Sequence, residues 1–173
     1  HPNSDQIAFG YDLDGPFNLY CLRLDGSNQP VRLTHNPNRQ FPKSWSAGYL
    51  LYEQESAGSG TDIWALPDRG EPFVVAQSEF EERDPALSPD GAWLAYQSDE
   101  SGSPEIYLMA FPKGSRRRLG PGMGPTWTQK GELLYRNGEQ MMSLLAGNSQ
   151  PKTLFGIKVK GGRRSWEVTP DGT

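Results

Sequence analysis

The chain has 173 residues, 35% of them hydrophobic, with 20 Gly and 15 Pro spread along it as turn residues, so it is expected to form one compact domain with no internal boundary. A formal net charge of -4, with no basic stripe interleaved with aromatics, argues against a nucleic-acid partner. No apolar run is long enough for a membrane-spanning helix, so no direct membrane insertion is expected, and the single Cys21 has no partner for an internal disulfide.

Read from the start, the turn-like His1-Pro2-Asn3-Ser4 precedes a strand carrying Ile7-Ala8-Phe9. A second strand opens at Asn18-Leu19-Tyr20 and runs on as NLYCLRL, where Cys21 reads as a small buried hydrophobe. Val31-Arg32-Leu33-Thr34 closes this first unit. The second unit has a shortened turn, Ser46-Ala47-Gly48, then Leu50-Leu51-Tyr52 and Asp62-Ile63-Trp64. In the third, strands are expected near Asp84 to Ser88, Trp93 to Ser98, Glu105 to Phe111 and Arg117 to Gly120, with Ser88-Pro89-Asp90-Gly91 as a type I turn. The fourth repeats the plan through Thr128-Gln129-Lys130-Gly131, Leu133-Leu134-Tyr135 and the weaker Gln140-Met141-Met142. A final first strand, Trp166 to Thr169, leads into Thr169-Pro170-Asp171-Gly172.

The aromatic anchors Phe9, Tyr52, Tyr96 and Tyr135 fall 43, 44 and 39 residues apart, which identifies a tandem array of β units. Strands such as Glu105 to Phe111 are apolar on both faces, with Ile106, Leu108 and Ala110 on one and Tyr107 and Met109 on the other. They need cover on both sides, which neighbouring blades provide. The expectation is therefore an all-β chain: a β-propeller of four-stranded antiparallel blades, about four in number, at residues 1–40 (closed by 163–173), 41–80, 81–122 and 123–160. Trp166 to Thr169 would complete the blade begun at Ile7 and close a four-bladed ring. A piece of a longer propeller, and a homodimer completing a larger one, stay open beside it. His1 in place of an initiator Met points to a processed or excised chain, compatible with a removed signal peptide.

SPDG, then LAY, then a Glu-Ile-Tyr strand and an Arg-Leu ending resemble the TolB-like propeller repeat, a relative of the WD-type repeats. The likeness runs from Ile7 to nearly the end and is strongest over Asp84 to Leu119. In bacteria such propellers occur in the periplasmic TolB protein, as sensor domains of receptor-like kinases or membrane-bound regulators and as lids on serine peptidases, and the resemblance implies a periplasmic or other extracytoplasmic setting.

Groups suited to chemistry are sparse. His1 and His35 are the only histidines, too few for a His-rich metal site, and no G-x-S-x-G elbow is present. Gly58-Ser59-Gly60 and Asp12-Leu13-Asp14-Gly15 have the residues of hairpin turns without the further positions of a phosphate loop or a calcium loop. Ser88 to Trp93 also resembles the Asp-box of sialidase propellers with altered spacing, a structural element that holds the blade, and Trp93 is expected between blades. Arg116-Arg117-Arg118 reads as a charged outer edge. We therefore expect no catalytic residues, no metal and no cofactor. Binding groups are expected in the connections His35 to Phe41, Ser78 to Asp84, Gly120 to Gly124 and Gly156 to Ser165, at a channel mouth. The candidates are His35, Arg39, Glu82, Arg83, Asp84, Arg163 and Arg164. The expected function is non-catalytic recognition of a protein or peptide. A propeller belonging to an enzyme, glycan-processing or peptidase-gating, is the alternative, with a structural fragment of a larger ring beside it.

Overall fold

A computed structural model describes residues 1–2, 5–13, 15–26, 29–58, 60–145 and 150–156. The chain divides into two compact units, His1–Arg83 and Asp84–Thr173. All regular structure among the described residues is β.

In the first unit, β1 (Gln6–Tyr11), β2 (Asn18–Arg23) and β3 (Val31–Arg32) form one sheet in that order, and β4 (Gln40–Ser46), β5 (Tyr49–Ser56), β6 (Gly60–Pro67) and β7 (Phe73–Ala76) form a second. Beyond it, β8 (Glu82–Leu87), β9 (Trp93–Ser98), β10 (Glu105–Ala110) and β11 (Arg116–Pro121) make a third sheet, and β12 (Met123–Trp127), β13 (Glu132–Asn137), β14 (Gln140–Leu145) and β15 (Lys152–Gly156) a fourth. Every pairing is antiparallel between consecutive strands, the meander of a propeller blade. The first sheet has three strands among the described residues. The expected closing strand Trp166 to Thr169 lies outside them.

The two repeating sequence markers are cross-strand partners. Phe9 pairs with Tyr20, Tyr52 with Trp64, Tyr96 with Tyr107 and Tyr135 with Met142. In the first three sheets the rings stack, with centroids 6.1, 6.4 and 5.6 Å apart. Such pairs stabilise a sheet and hold its register, because a one-residue slip would turn every aromatic to the other face.

The turns follow the sequence chemistry. Gly91 N–H donates to the Ser88 carbonyl at 2.9 Å, and Gly131 N–H donates to the Thr128 carbonyl at 3.0 Å, so the fourth repeat keeps the turn without its Pro and Asp. Thr128 Oγ1 accepts from Glu132 N–H at 3.1 Å, as Ser88 Oγ does from Trp93 N–H at 2.9 Å. Ser46 pairs with Tyr49, so the shortened turn is a two-residue hairpin with both Ala47 (φ 48°) and Gly48 (φ 80°) left-handed.

Each unit has its own core between its two sheets. Leu19, Leu50 and Tyr52 form the centre of the first, with Trp45, Trp64 and Leu66 packed against them. In the second unit Ile106 and Leu108 meet Leu133, Tyr135 and Leu144, with Trp93 against this cluster. Full burial of each of the Leu and Ile side chains at these centres contributes about 1.5–3 kcal/mol. β10 is buried along its first five residues, which explains why it is apolar on both faces. Cys21 is buried, its thiol 3.1 Å from Gln6 Oε1, and burial pushes its pKa up.

Several boundaries differ from expectation. β8 starts at Glu82, so that residue belongs to a strand rather than a loop. Gly122 alone joins β11 to β12, where a longer connection, Gly120 to Gly124, was expected. A side chain there would lie 2.6 Å from Tyr135 Cδ2 and 2.9 Å from Ile106 Cγ1, so only glycine lets the chain pass.

Candidate functional site

A polar side chain early in one strand of each sheet binds toward the strand or segment that follows it. A polar residue stands at or near the start of β2, β6, β10 and β14, and in the first three it is buried: Asn18 and Asp62 are 0% exposed and Glu105 3%. Asn18 Nδ2 donates to the Asn36 carbonyl at 2.9 Å while its Oδ1 accepts from Asn36 N–H at 2.7 Å. Asp62 accepts from Gln77 Nε2 at 2.9 Å, just after β7. Glu105 is ion-paired with Arg118 in β11 at 2.6 Å. In the fourth sheet the exposed Gln140 accepts from Thr153 Oγ1 at a longer 3.4 Å. A buried polar group must be hydrogen-bonded, and here the partner is supplied by the next strand of the sheet, as with Arg118 and Thr153, or by the segment that follows it, as with Asn36 and Gln77.

The connection between β3 and β4 is tied down at several points. Besides the Asn18 clamp, Asn36 Oδ1 accepts from Asn38 N–H at 2.9 Å. At its roots, Thr34 Oγ1 accepts from Leu19 N–H at 3.0 Å and donates to Gln40 Oε1, whose amide donates to Gln54 Oε1 at 2.8 Å. This loop carries two sequence candidates. His35 is exposed and borders a cavity of about 310 Å3 whose other walls include Gln40, Trp64 and Glu71. Tyr52, also on that wall, has its hydroxyl pKa raised by burial.

Arg39 stands over two rings at once, its guanidinium carbon 5.1 Å from the centroid of Phe17 and 5.1 Å from that of Phe41. The rings are themselves stacked 6.0 Å apart. Arg39 NH1 lies 3.5 Å from Glu55 Oε2, and its carbonyl accepts from Glu55 N–H at 2.9 Å. The side chain is 50% exposed, so a guanidinium held in place by rings still faces solvent.

The other candidates are deployed differently. Arg83 pairs with Glu81 at 2.7 Å, and both are partly exposed. Glu82 is buried at 1% exposure and accepts from the Ser78 hydroxyl at 2.5 Å, so its carboxylate supports the strand entry rather than facing a partner. Asp84 belongs to the second unit and has φ 50°, a left-handed conformation that short polar side chains tolerate. Arg163 and Arg164 lie outside the described residues. Within the first unit the aromatic support of Arg39 escaped sequence reasoning. Phe17 and Phe41 sit in different repeats, and the tertiary packing that includes the bond from Gln40 N–H to the Phe17 carbonyl at 2.7 Å brings them together.

In the second unit the Arg116-Arg117-Arg118 run is tied down on one side. Arg116 pairs with Glu100 at 2.7 Å and lies 5.2 Å from the Tyr107 ring centroid, while Arg118 holds Glu105. The Tyr107 hydroxyl, and after it Arg116, keeps the Glu100 carboxyl below its usual range. Burial, with Glu100 second, pushes Tyr107 up to about 12. Among the described residues no group of three or more His, Cys, Asp or Glu is placed to hold a metal, and no helix is long and apolar enough to cross a membrane.

No protein-family model and no curated protein matches this sequence. Solved structures do. A putative TolB from Agrobacterium tumefaciens superposes with TM-score 0.73 at 19% identity, over 89% of this chain and 62% of that one. TolB from Acinetobacter baumannii gives 0.72 at 20% identity, over 98% of this chain and 45% of the other. An oligogalacturonate lyase in complex with manganese gives 0.66 at 14% identity, over 89% and 50%. The chain thus spans less than two thirds of each of these three structures, and likeness at such identity establishes the fold alone.

Proposed function

We propose that this chain, whose fold is that of a TolB-like β-propeller, is a non-catalytic binding domain that recognises a protein or peptide through the loop end bearing Arg39. The observation that carries this reading is the guanidinium of Arg39 resting over Phe17 and Phe41 on a loop clamped by Asn18. Arginine and large aromatic side chains concentrate binding energy at protein interfaces, and a side chain already held in place loses little entropy when a partner arrives. The loosely paired Glu55 can give way to a partner's carboxylate or carbonyl groups. Arg83 is paired with Glu81 and Glu82 is buried, so the reading rests on Arg39 rather than on these two candidates. An extracytoplasmic setting goes with this reading, as the resemblance to periplasmic TolB-like propellers implies.

The test is capture from an envelope extract with identification by mass spectrometry, comparing the wild type with Arg39→Ala and with the remote surface variant Lys113→Ala. A protein retained by wild type and Lys113→Ala but lost with Arg39→Ala supports the assignment. Equal capture by all three overturns it.

A further inference from the structure

Away from the Arg39 loop, in the first unit, a cavity of about 400 Å3 opens between the two sheets, with an apolar floor that includes Trp45, Leu50 and Leu66. Two arginines, Arg23 at the end of β2 and Arg69 just after β6, stand on its wall. Both are exposed, and neither has a carboxylate within ion-pair distance among the described residues.

The cavity also carries a carboxylate, Asp68, but that group is engaged. Its Oδ1 accepts from Trp45 Nε1–H at 3.0 Å and its Oδ2 faces His1 Nε2 at 3.9 Å. His1 itself packs edge-on against Trp45, 4.6 Å between ring centroids. Asp68 is a negative charge oriented by these neighbours, so Arg23 and Arg69 outnumber it and remain, among the described residues, without a carboxylate partner of their own beside an indole and two leucines. That local balance runs against a chain whose net charge is -4. A positively charged wall over an apolar floor selects a ligand that is anionic at one end and apolar along its body, and guanidinium groups pair with carboxylates through two parallel hydrogen bonds. The volume lies within the range of small-molecule sites.

We propose that this cavity binds a small monocarboxylate with an apolar or aromatic body, its carboxylate between Arg23 and Arg69 and its body against Trp45. The test follows the Trp45 indole N–H resonance, assigned with Trp45→Phe, during titration of the intact chain with sodium octanoate and separately with 1-octanol. Octanoate should move that resonance saturably, and the double variant Arg23→Ala, Arg69→Ala should weaken its binding by about tenfold or more, the loss of one or two charge-assisted bonds. Octanol should bind more weakly by a similar factor. The remaining amide spectrum of the double variant reports whether it is folded. Should it prove unfolded, the single variants Arg23→Lys and Arg69→Lys take its place and should weaken octanoate binding severalfold. Equal affinity for octanoate and octanol, undiminished octanoate binding by the folded variants, or an unmoved Trp45 resonance would overturn the assignment.

Discussion

Asn18 and Asn36 join side chain to backbone: the Asn18 carboxamide accepts from Asn36 N–H at 2.7 Å and donates to the Asn36 carbonyl at 2.9 Å. The carboxamide thereby takes the place of one more paired residue, tying a loop to a strand that begins 18 positions earlier. Its Nδ2 also donates to the Pro16 carbonyl at 2.8 Å, so the clamp holds both segments that flank Arg39 and its aromatic support.

Replacing Asn18 should loosen this end of the first unit. Asn18→Ala leaves the Asn36 backbone groups without their partner and is expected to cost about 1–3 kcal/mol in urea unfolding. Asn18→Asp should not rescue the loss, because it aims a buried charge at two carbonyl oxygens. The equivalent Asp62 is accommodated because Gln77 donates to it. Full stability of Asn18→Asp would refute this account of the clamp.

Ala47 occupies a left-handed position, φ 48°, in the two-residue turn before β5. Alanine pays a steric penalty there, while Asn-Gly is the pair best suited to such a hairpin. Ala47→Asn is therefore expected to stabilise by about 0.5–1 kcal/mol and Ala47→Val to destabilise by at least as much. Thermal unfolding monitored by circular dichroism checks both signs.

The Ser88 hydroxyl, and after it the Ala92 N–H, holds the Asp90 carboxyl below the ordinary aspartate value. A carboxyl whose pKa is depressed by folding adds stability that is present above the unfolded value and is lost as pH falls through the folded one. Asp90→Asn should thus lower the melting temperature at neutral pH, and the gap to wild type should close progressively below about pH 4. The side chain is exposed, so the effect is small and weakens with salt. A gap that stays constant down to acid pH would show that the carboxylate charge has no part in the turn.

Which features were legible beforehand follows from how far each interaction reaches along the chain. The repeat period, the strands around Phe9, Tyr52, Tyr96 and Tyr135, and the Ser88 to Gly91 turn depend on residues within a few positions of one another, and local patterning carries them. Asn18, Asp62, Glu105 and Gln140, each followed by a bulky pair, recur along the sequence, yet their role does not show there. Asn18, Asp62 and Glu105 find partners between 13 and 18 residues away, and only the strand register brings those partners opposite.

By itself, then, the amino-acid sequence determined the β architecture, the spacing of its aromatic anchors and the resemblance to TolB-like propellers, because alternation and turn chemistry act over a handful of bonds. Only the tertiary structure decided that Glu82 is buried beneath Ser78, that Arg39 rests over Phe17 and Phe41, and that Arg23 and Arg69 stand beside Trp45. In each case the environment of a charge is set by which neighbouring strand or sheet lies across from it. Burial and field at that point are properties of packing, not of the residues adjacent in the chain.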